Sequence, residues 1–433
     1  MDTMRRAGLS AVAAVGVLGL SLTACTAVGG VATPQAAMRV TEVAGTITYW
    51  DTADAKAEGP VYDQLISAFQ AKFPKVKVNH VYVDFNQAQN KFIAAAGAGK
   101  DVPDVLRIDG GAIPALVNAS AIAPLDGTPA LDDEPDFLPG PLDTTVYKDH
   151  VYGAPQVTDT LGLLYNKALF KKAGIANPPR TWAELKAAGK AIKAKTGADG
   201  LYLNSAAYFF LPFLYGEGTD WVDADNKKIT VSSPKVVAAI HTAQDLIASG
   251  AAVAPNFADL YGGMQSSFKE GRVAMVINGP WSVADDYSGP AFKDNANLGI
   301  APVPAGGSGT AGAPTGGQNL VVYAKSQNSA AAHAFISFIN SAASQATVAA
   351  KNGTLPTRAS AYTADVRRNT TIAGFQPVLQ IARARPAVAK GGELYTPFET
   401  TLGRILQGQV AVQRGLEETA QTYHGILTDY TAG

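Results

Sequence analysis

Between Gly45 and Ala119 the chain alternates short apolar runs with helical patterns, and this alternation narrows the possible folds more than any other feature. "GTITYW" (Gly45 to Trp50) reads as a strand. "GPVYDQLISAFQAKF" then sets Val61, Leu65, Ile66 and Phe69 at helical spacing until Pro74 stops it. "KVKVNHVYV" is a second strand with period-two character, and "AQNKFIAAAGAGK" a second helix that runs out in glycines. "DVPDVLRID" is a third, buried strand, followed by a helix from Ala112 to Ala119. The order β-α-β-α-β predicts an α/β domain with a mostly parallel sheet. Ligands of such sheets sit beyond the carboxyl ends of the strands. Attention therefore falls on Asp51 to Asp54, on Asp84 to Gln89, and on Asp109.

The middle of the chain continues the pattern. In "YGAPQVTDTLGLLYN", Tyr152 to Val157 and Leu161 to Tyr165 read as extended segments, with Thr158, Asp159 and Thr160 between them. "PPRTWAELKAAGKAIKAKTG" is a helix with Thr181 as N-cap, Glu184 completing a capping box and Gly197 at the end. "NSAAYFFLPFLYGEG" is a helix carrying Tyr208, Phe209, Phe210, Phe213 and Tyr215, and "WVDADNKKITVSSP" is a hairpin. A short helix from Gly263 to Gly271 leads to a strand, Val273 to Ile277, which runs into the turn Asn278-Gly279-Pro280 and then Trp281. A tryptophan in that place either fills a core or offers a stacking surface over a cleft. The glycine-rich stretch from Pro304 to Gly317 separates the middle from a strand-helix-helix region, and from about Ala361 the chain is nearly all helical.

The N-terminus bears on location. Arg5 and Arg6 precede an apolar stretch, Ala7 to Leu22, too short and wrongly flanked for a stable span, as in an export signal. It leads into "LTAC", whose Cys25 is the single cysteine of 433 residues. Leu-Thr-Ala-Cys resembles a bacterial lipobox, in which the thiol is alkylated by a diacylglycerol. The polar, small-residue stretch that follows suits a flexible tether. A mature chain of this size exceeds one ordinary core and points to two domains. Net charge is −1 and charged residues are 16%, so no basic field for nucleic acid exists.

Catalytic and cofactor signatures are missing. The histidines (His80, His150, His241, His333, His424) show no metal-ligand spacing, no G-x-S-x-G elbow occurs, and "GAGKD" lacks the pattern of a phosphate loop. No cofactor or metal is expected. A glycosidase would need two facing carboxylates, for which Asp51 and Asp159 are the pair to examine.

From about Gly45 to Tyr423 the chain resembles the extracellular solute-binding lipoproteins of carbohydrate ABC importers, the maltodextrin-binding type in particular. The resemblance is carried by "VYDQLISAFQAKFPKVKV", "NKFIAAAGAGKDVPDVLR", "ASAIAPLD", "VYGAPQVTDTLGLLYNKALFKKAGI", "PPRTWAELKAAGKAI", "FKEGRVAMVINGPW" and "NGTLPTR", in that order and spacing. It implies an α/β fold of the periplasmic-binding-protein type II, two lobes around a hinge with the ligand cleft between them. The expected divisions are a lipoprotein signal at 1–24, a tether at 25–45, an N-terminal lobe of 46–157 and 316–361, and a C-terminal lobe of 158–315 and 362–433.

The function implied is capture of a mono- or oligosaccharide by cleft closure and delivery to a membrane permease, by a monomer held to the membrane through its lipid, without catalysis. A secreted carbohydrate-active enzyme and a binder of a non-sugar solute are the competing readings. By the resemblance, Trp281, Tyr208 and Tyr395 stack on sugar rings and Asp159 accepts from sugar hydroxyls. Asp54, Gln89 and Asp109 are further candidates in the first lobe. Arg107 either holds Asp109 or reaches the ligand, and Gly316 and Gly317 let backbone approach it. Ala55, Ala206 and the run Gly110-Gly111-Ala112 stand where enteric maltodextrin binders carry larger contacts. Those differences leave room for another glucoside or a galactose-containing sugar.

Overall fold

The computed structural model describes residues 42–386, 388 and 390–433. The expected signal segment, Cys25 and all but the end of the tether lie outside them. Seven strands form one sheet: Leu355–Pro356, Ala154–Thr160, Ala313–Val322, Val105–Asp109, Gly45–Asp51 and Val76–Tyr82 in that order, with Ala382–Arg383 also paired to Ala313–Val322. Five strands form another, in the order Ala252–Val253, Asp199–Tyr202, Val273–Asn278, Gly162–Asn166 and Leu298–Ala301. A single residue, Leu161, joins Ala154–Thr160 of the first sheet to Gly162–Asn166 of the second.

The inner strands are mostly buried because both faces of each sheet are covered, and Val273–Asn278 is a nearly continuous apolar run. With a side-chain period of two, Val105, Leu320 and Val322 enter one core while Leu106, Ile108 and Val321 enter the core on the opposite face. In the second sheet Leu163, Met275 and Ile277 enter one core and Leu164 and Val276 another.

Local chemistry sets the helices. Thr181 accepts from the Glu184 amide at 3.2 Å and caps Trp182–Thr196, which ends on Gly197 at φ 78°. Glu184 reaches back to the amide of Arg180 at 2.7 Å, one residue upstream of the standard box. The helix expected at Gly263 begins earlier, at Leu260, because Asp259 accepts from the Gly262 amide at 2.8 Å. The segment expected to be helical from Ala112 opens as a tight turn, Gly110–Ala112, before Ile113–Asn118.

Two expectations change in ways that matter for the site. Thr158, Asp159 and Thr160 do not link two strands; they complete Ala154–Thr160, because Thr315, Gly316 and Gly317 supply a paired strand opposite them. The end of the glycine-rich stretch is accordingly strand and not linker: Ala313–Val322 starts within it. Among the described residues no helix is long and apolar enough to cross a membrane. Removing the cap in Thr181→Ala is expected to cost about 1 kcal/mol. A lower denaturation midpoint with an unchanged slope is the result to look for.

Candidate ligand-binding cleft

The geometry of the first sheet gathers the candidates at one edge. Gly45–Asp51 and Val105–Asp109 run parallel, Ala313–Val322 runs against Val105–Asp109, and Ala154–Thr160 runs against Ala313–Val322. The carboxyl ends at Asp51, Asp109 and Thr160 therefore share an edge with Gly316 and Gly317. In the second sheet, Asp199–Tyr202 and Val273–Asn278 are parallel, and Tyr208 and Trp281 follow their carboxyl ends.

One residue that sequence reasoning passed over joins several of these groups. The Arg385 Nη2 donates to both carboxylate oxygens of Asp109, at 2.8 and 3.0 Å. Its Nη1 donates to the Tyr395 hydroxyl at 3.4 Å and its Nε to the Thr315 carbonyl at 3.2 Å. The guanidinium carbon lies 5.6 Å from the centre of the Tyr208 ring, within cation–π range. Burial opposes the charge on Arg385, but Asp109 and Tyr395 overcome that and raise its affinity for the proton. The only sequence cue was a pair of arginines, Arg383 and Arg385, in the otherwise apolar run "IARARPAVA".

Asp159 completes this group. It accepts from the Tyr208 hydroxyl at 3.2 Å, and burial, then the neighbouring Asp109 charge, push its carboxyl from 3.8 up to about 7. Gly316 lies directly opposite Asp159 in the pairing register. A Cβ there would stand 2.1 Å from the Asp159 carboxylate and 2.6 Å from the Tyr208 hydroxyl, so the glycine makes room for their hydrogen bond. Gly317 has φ 145°, a backbone conformation open chiefly to glycine. The Tyr395 ring packs edge-on against the buried Trp221, 4.8 Å between centroids.

Trp281 belongs to an adjoining aromatic group. Its ring lies over Gly279, where a Cβ would come within 1.9 Å, and its Nε1 donates to the Tyr261 hydroxyl at 3.1 Å. Phe209 stands edge-on to Trp281 at 6.5 Å and to its neighbour Tyr208 at 6.0 Å, which links the two groups. Trp281 is half-buried, whereas Phe210 and Phe213 of the same aromatic helix are core residues.

The first-lobe candidates divide. Gln89 is half-buried beside Gly392, ahead of Tyr395. Asp54 is exposed, and one of its oxygens accepts from the amides of Lys56 and Ala57 at 2.8 and 2.7 Å, closing its own turn. Arg107 is 3% exposed and does not hold Asp109; Arg385 does. Its guanidinium bonds Gln156 at 2.8 Å and Thr52 at 3.4 Å and lies near Asp51 and Glu58. Asp51 is fully buried and bonded to His80 at 3.0 Å, so it cannot face Asp159 across a cleft as a second glycosidase carboxylate would. Among the described residues no cluster of three or more His, Cys, Asp or Glu could hold a metal.

The raised carboxyl of Asp159 has a sign that can be tested. The folded chain keeps a proton that the unfolded chain has released, so this group lowers stability as pH rises from 3.8 to about 7. The Tyr208 hydroxyl bond favours the ionised form. Tyr208→Phe is therefore expected to move the Asp159 titration higher still, read by NMR of its carboxyl carbon.

The comparisons agree with this architecture. Residues 53–346 match the family model described as bacterial extracellular solute-binding protein. The GacH receptor of Streptomyces glaucescens, solved unliganded and with acarbose, is 43% identical, with a TM-score of 0.86 over 90% of this chain and 100% of its own. The diacetylchitobiose binding protein DasA of Streptomyces coelicolor is 26% identical, covering 84% of this chain and 86% of its own. The maltotriose-binding protein of Pyrococcus abyssi is 25% identical, covering 84% and 78%. The fold is thus the two-lobed α/β architecture of solute-binding proteins, which bind and do not catalyse. The chain belongs to the family of bacterial extracellular solute-binding proteins.

Proposed function

We propose that this protein is the substrate-binding subunit of an ABC sugar importer, taking an oligosaccharide of linked glucose-like rings into the cleft and presenting it to the permease. The observation that carries the reading is the composition of the cleft. Aromatic rings at Tyr208 and Tyr395 stand beside the carboxylates of Asp159 and Asp109, and Phe209 links Tyr208 to the ring of Trp281. Sugar rings present C–H faces that pack on aromatic planes, and their hydroxyls need fixed polar partners. Carboxylates accept from such hydroxyls through charge-assisted bonds. Acarbose, maltotriose and diacetylchitobiose, named for the relatives, share that chemistry. Gln89, Gly316 and Gly317 belong to the same proposed site.

The lobes are proposed as 46–157 with 316–361, and 158–315 with 362–433. The two sheets support that division in outline, with 158–160, 313–315 and Ala382–Arg383 crossing into the first sheet. Ligand contacts made from both sides would favour the closed arrangement. The protein is further proposed to act as a monomer on the outer face of the cytoplasmic membrane, held by a diacylglycerol on Cys25; the "LTAC" motif supports this.

Intrinsic tryptophan fluorescence, titrated with maltotriose, acarbose, trehalose and galactose, tests the binding role. A saturable change with one of them, weakened about tenfold or more in Trp281→Ala, is expected. Silence across the panel would overturn the sugar reading. For the anchor, Cys25→Ser is expected to release the protein into the medium, and retention at the membrane would count against lipidation.

A further inference from the structure

Beneath Trp281 lies a polar cluster that the binding site itself does not use. The Gln265 side chain is 6% exposed and Asp286 is fully buried. Gln265 accepts from the Asn278 side-chain amide at 3.0 Å. The same Gln265 donates to the Ser282 carbonyl at 3.3 Å and to Asp286 Oδ1 at 2.7 Å. Asn278 in turn accepts from the Gly279 amide at 2.9 Å. Both flanks of the Asn-Gly-Pro-Trp turn are thereby tied to one helix, Leu260–Lys269, from which Tyr261 also accepts the Trp281 Nε1–H. A hydrophobic core would need none of this, and a buried polar network is costly unless every member is satisfied.

We propose that Gln265 and Asp286 are positioning residues that fix the Trp281 ring in its stacking orientation. This rests on the reading of Trp281 as a ligand-stacking residue. Counting protons sharpens it. The Ser282 hydroxyl has one hydrogen, and the Gly279 carbonyl at 3.0 Å can only accept it. That hydrogen is shared with Asp286 Oδ2, which accepts from the Ser282 hydroxyl at 3.3 Å. Asp286 therefore accepts through both oxygens, from Gln265 and from Ser282. Burial, the first cause, pushes its carboxyl up to about 8, which keeps the proton on at neutral pH. The charged and titratable groups facing it are Asp285 and Lys269, which pair at 2.8 Å, and Tyr261. Both bonds favour the charged form, so when Asp286 ionises the Ser282 hydrogen is drawn towards the carboxylate and away from Gly279, and the turn shifts.

The test uses protein labelled with fluorotryptophan, in which each of the 4 tryptophans gives one fluorine resonance. Trp281 is assigned by the loss of its signal in Trp281→Phe. In the ligand-free wild type the Trp281 resonance is expected to broaden or shift as pH passes through about 8. Asp286→Asn, which keeps one donor and one acceptor, is expected to hold the neutral-pH signal and to abolish the alkaline change. Asp286→Ala is expected to broaden the signal at neutral pH and to weaken maltotriose binding roughly five- to tenfold. Ser282→Ala, a smaller lesion, is expected to remove the alkaline change as well. A Trp281 signal unmoved in Asp286→Ala, or the same alkaline change in Asp286→Asn as in wild type, would overturn the proposal. The ligand-free spectra judge the positioning network alone, so a failure to bind any sugar counts against the sugar reading and not against this one.

Discussion

The guanidinium of Arg385 is the interaction around which the cleft is organised. It ties the carboxyl end of Val105–Asp109, the start of the helix at Tyr395 and the carbonyl of Thr315 into one group, with the Tyr208 ring in cation–π range. A cation withdrawn this far from water is tolerable only with its charge balanced and its donors satisfied. Asp109 provides the balance. The remaining donors then hold groups from distant parts of the sequence in fixed relation to one another. The two partners pull Asp159 in opposite directions: after burial, the charge on Asp109 helps to keep its proton near neutrality and Arg385 opposes it.

Close backbone packing does the complementary work. Gly316 leaves space for the bond between Asp159 and Tyr208, and Gly279 leaves space for the ring of Trp281. In both places a glycine stands under a polar or aromatic side chain that would otherwise be displaced. A solute-binding cleft with such features offers flat apolar faces and fixed acceptors, and leaves the bound molecule chemically unchanged. The buried Asp51, bonded to His80 and near Arg107, stabilises the first sheet from within and takes no part at the cleft surface.

Much of this could be read without coordinates. The period-two and helical patterns located the strands at Gly45–Asp51 and Val76–Tyr82, and Thr181 with Gly197 bounded a helix. Trp281 stood out because it follows a strand's carboxyl end, where α/β sheets carry ligands, and Tyr208 through the family resemblance. Other features were not legible. Asp159 read as a linker residue because Thr and Asp between apolar runs look like a turn; a partner strand at Thr315, Gly316 and Gly317, far along the chain, makes it strand. Arg385 carried no motif at all, and the partners that define it lie 10 to 276 residues away.

The sequence by itself determined the alternating α/β architecture, the order of its elements and the residue types available at the strand ends, because these follow from local periodicity, capping and turn chemistry. Only the tertiary structure decided which of those residues meet. The pairing of Asp109 with Arg385, of Asp159 with Tyr208 and of Gln265 with Asp286 depends on long-range strand order and on burial. Burial also decides protonation: two aspartates of similar local sequence, Asp285 and Asp286, are driven in opposite directions by what surrounds them. Dielectric environment and distant partners are properties of the folded chain, and no local pattern encodes them.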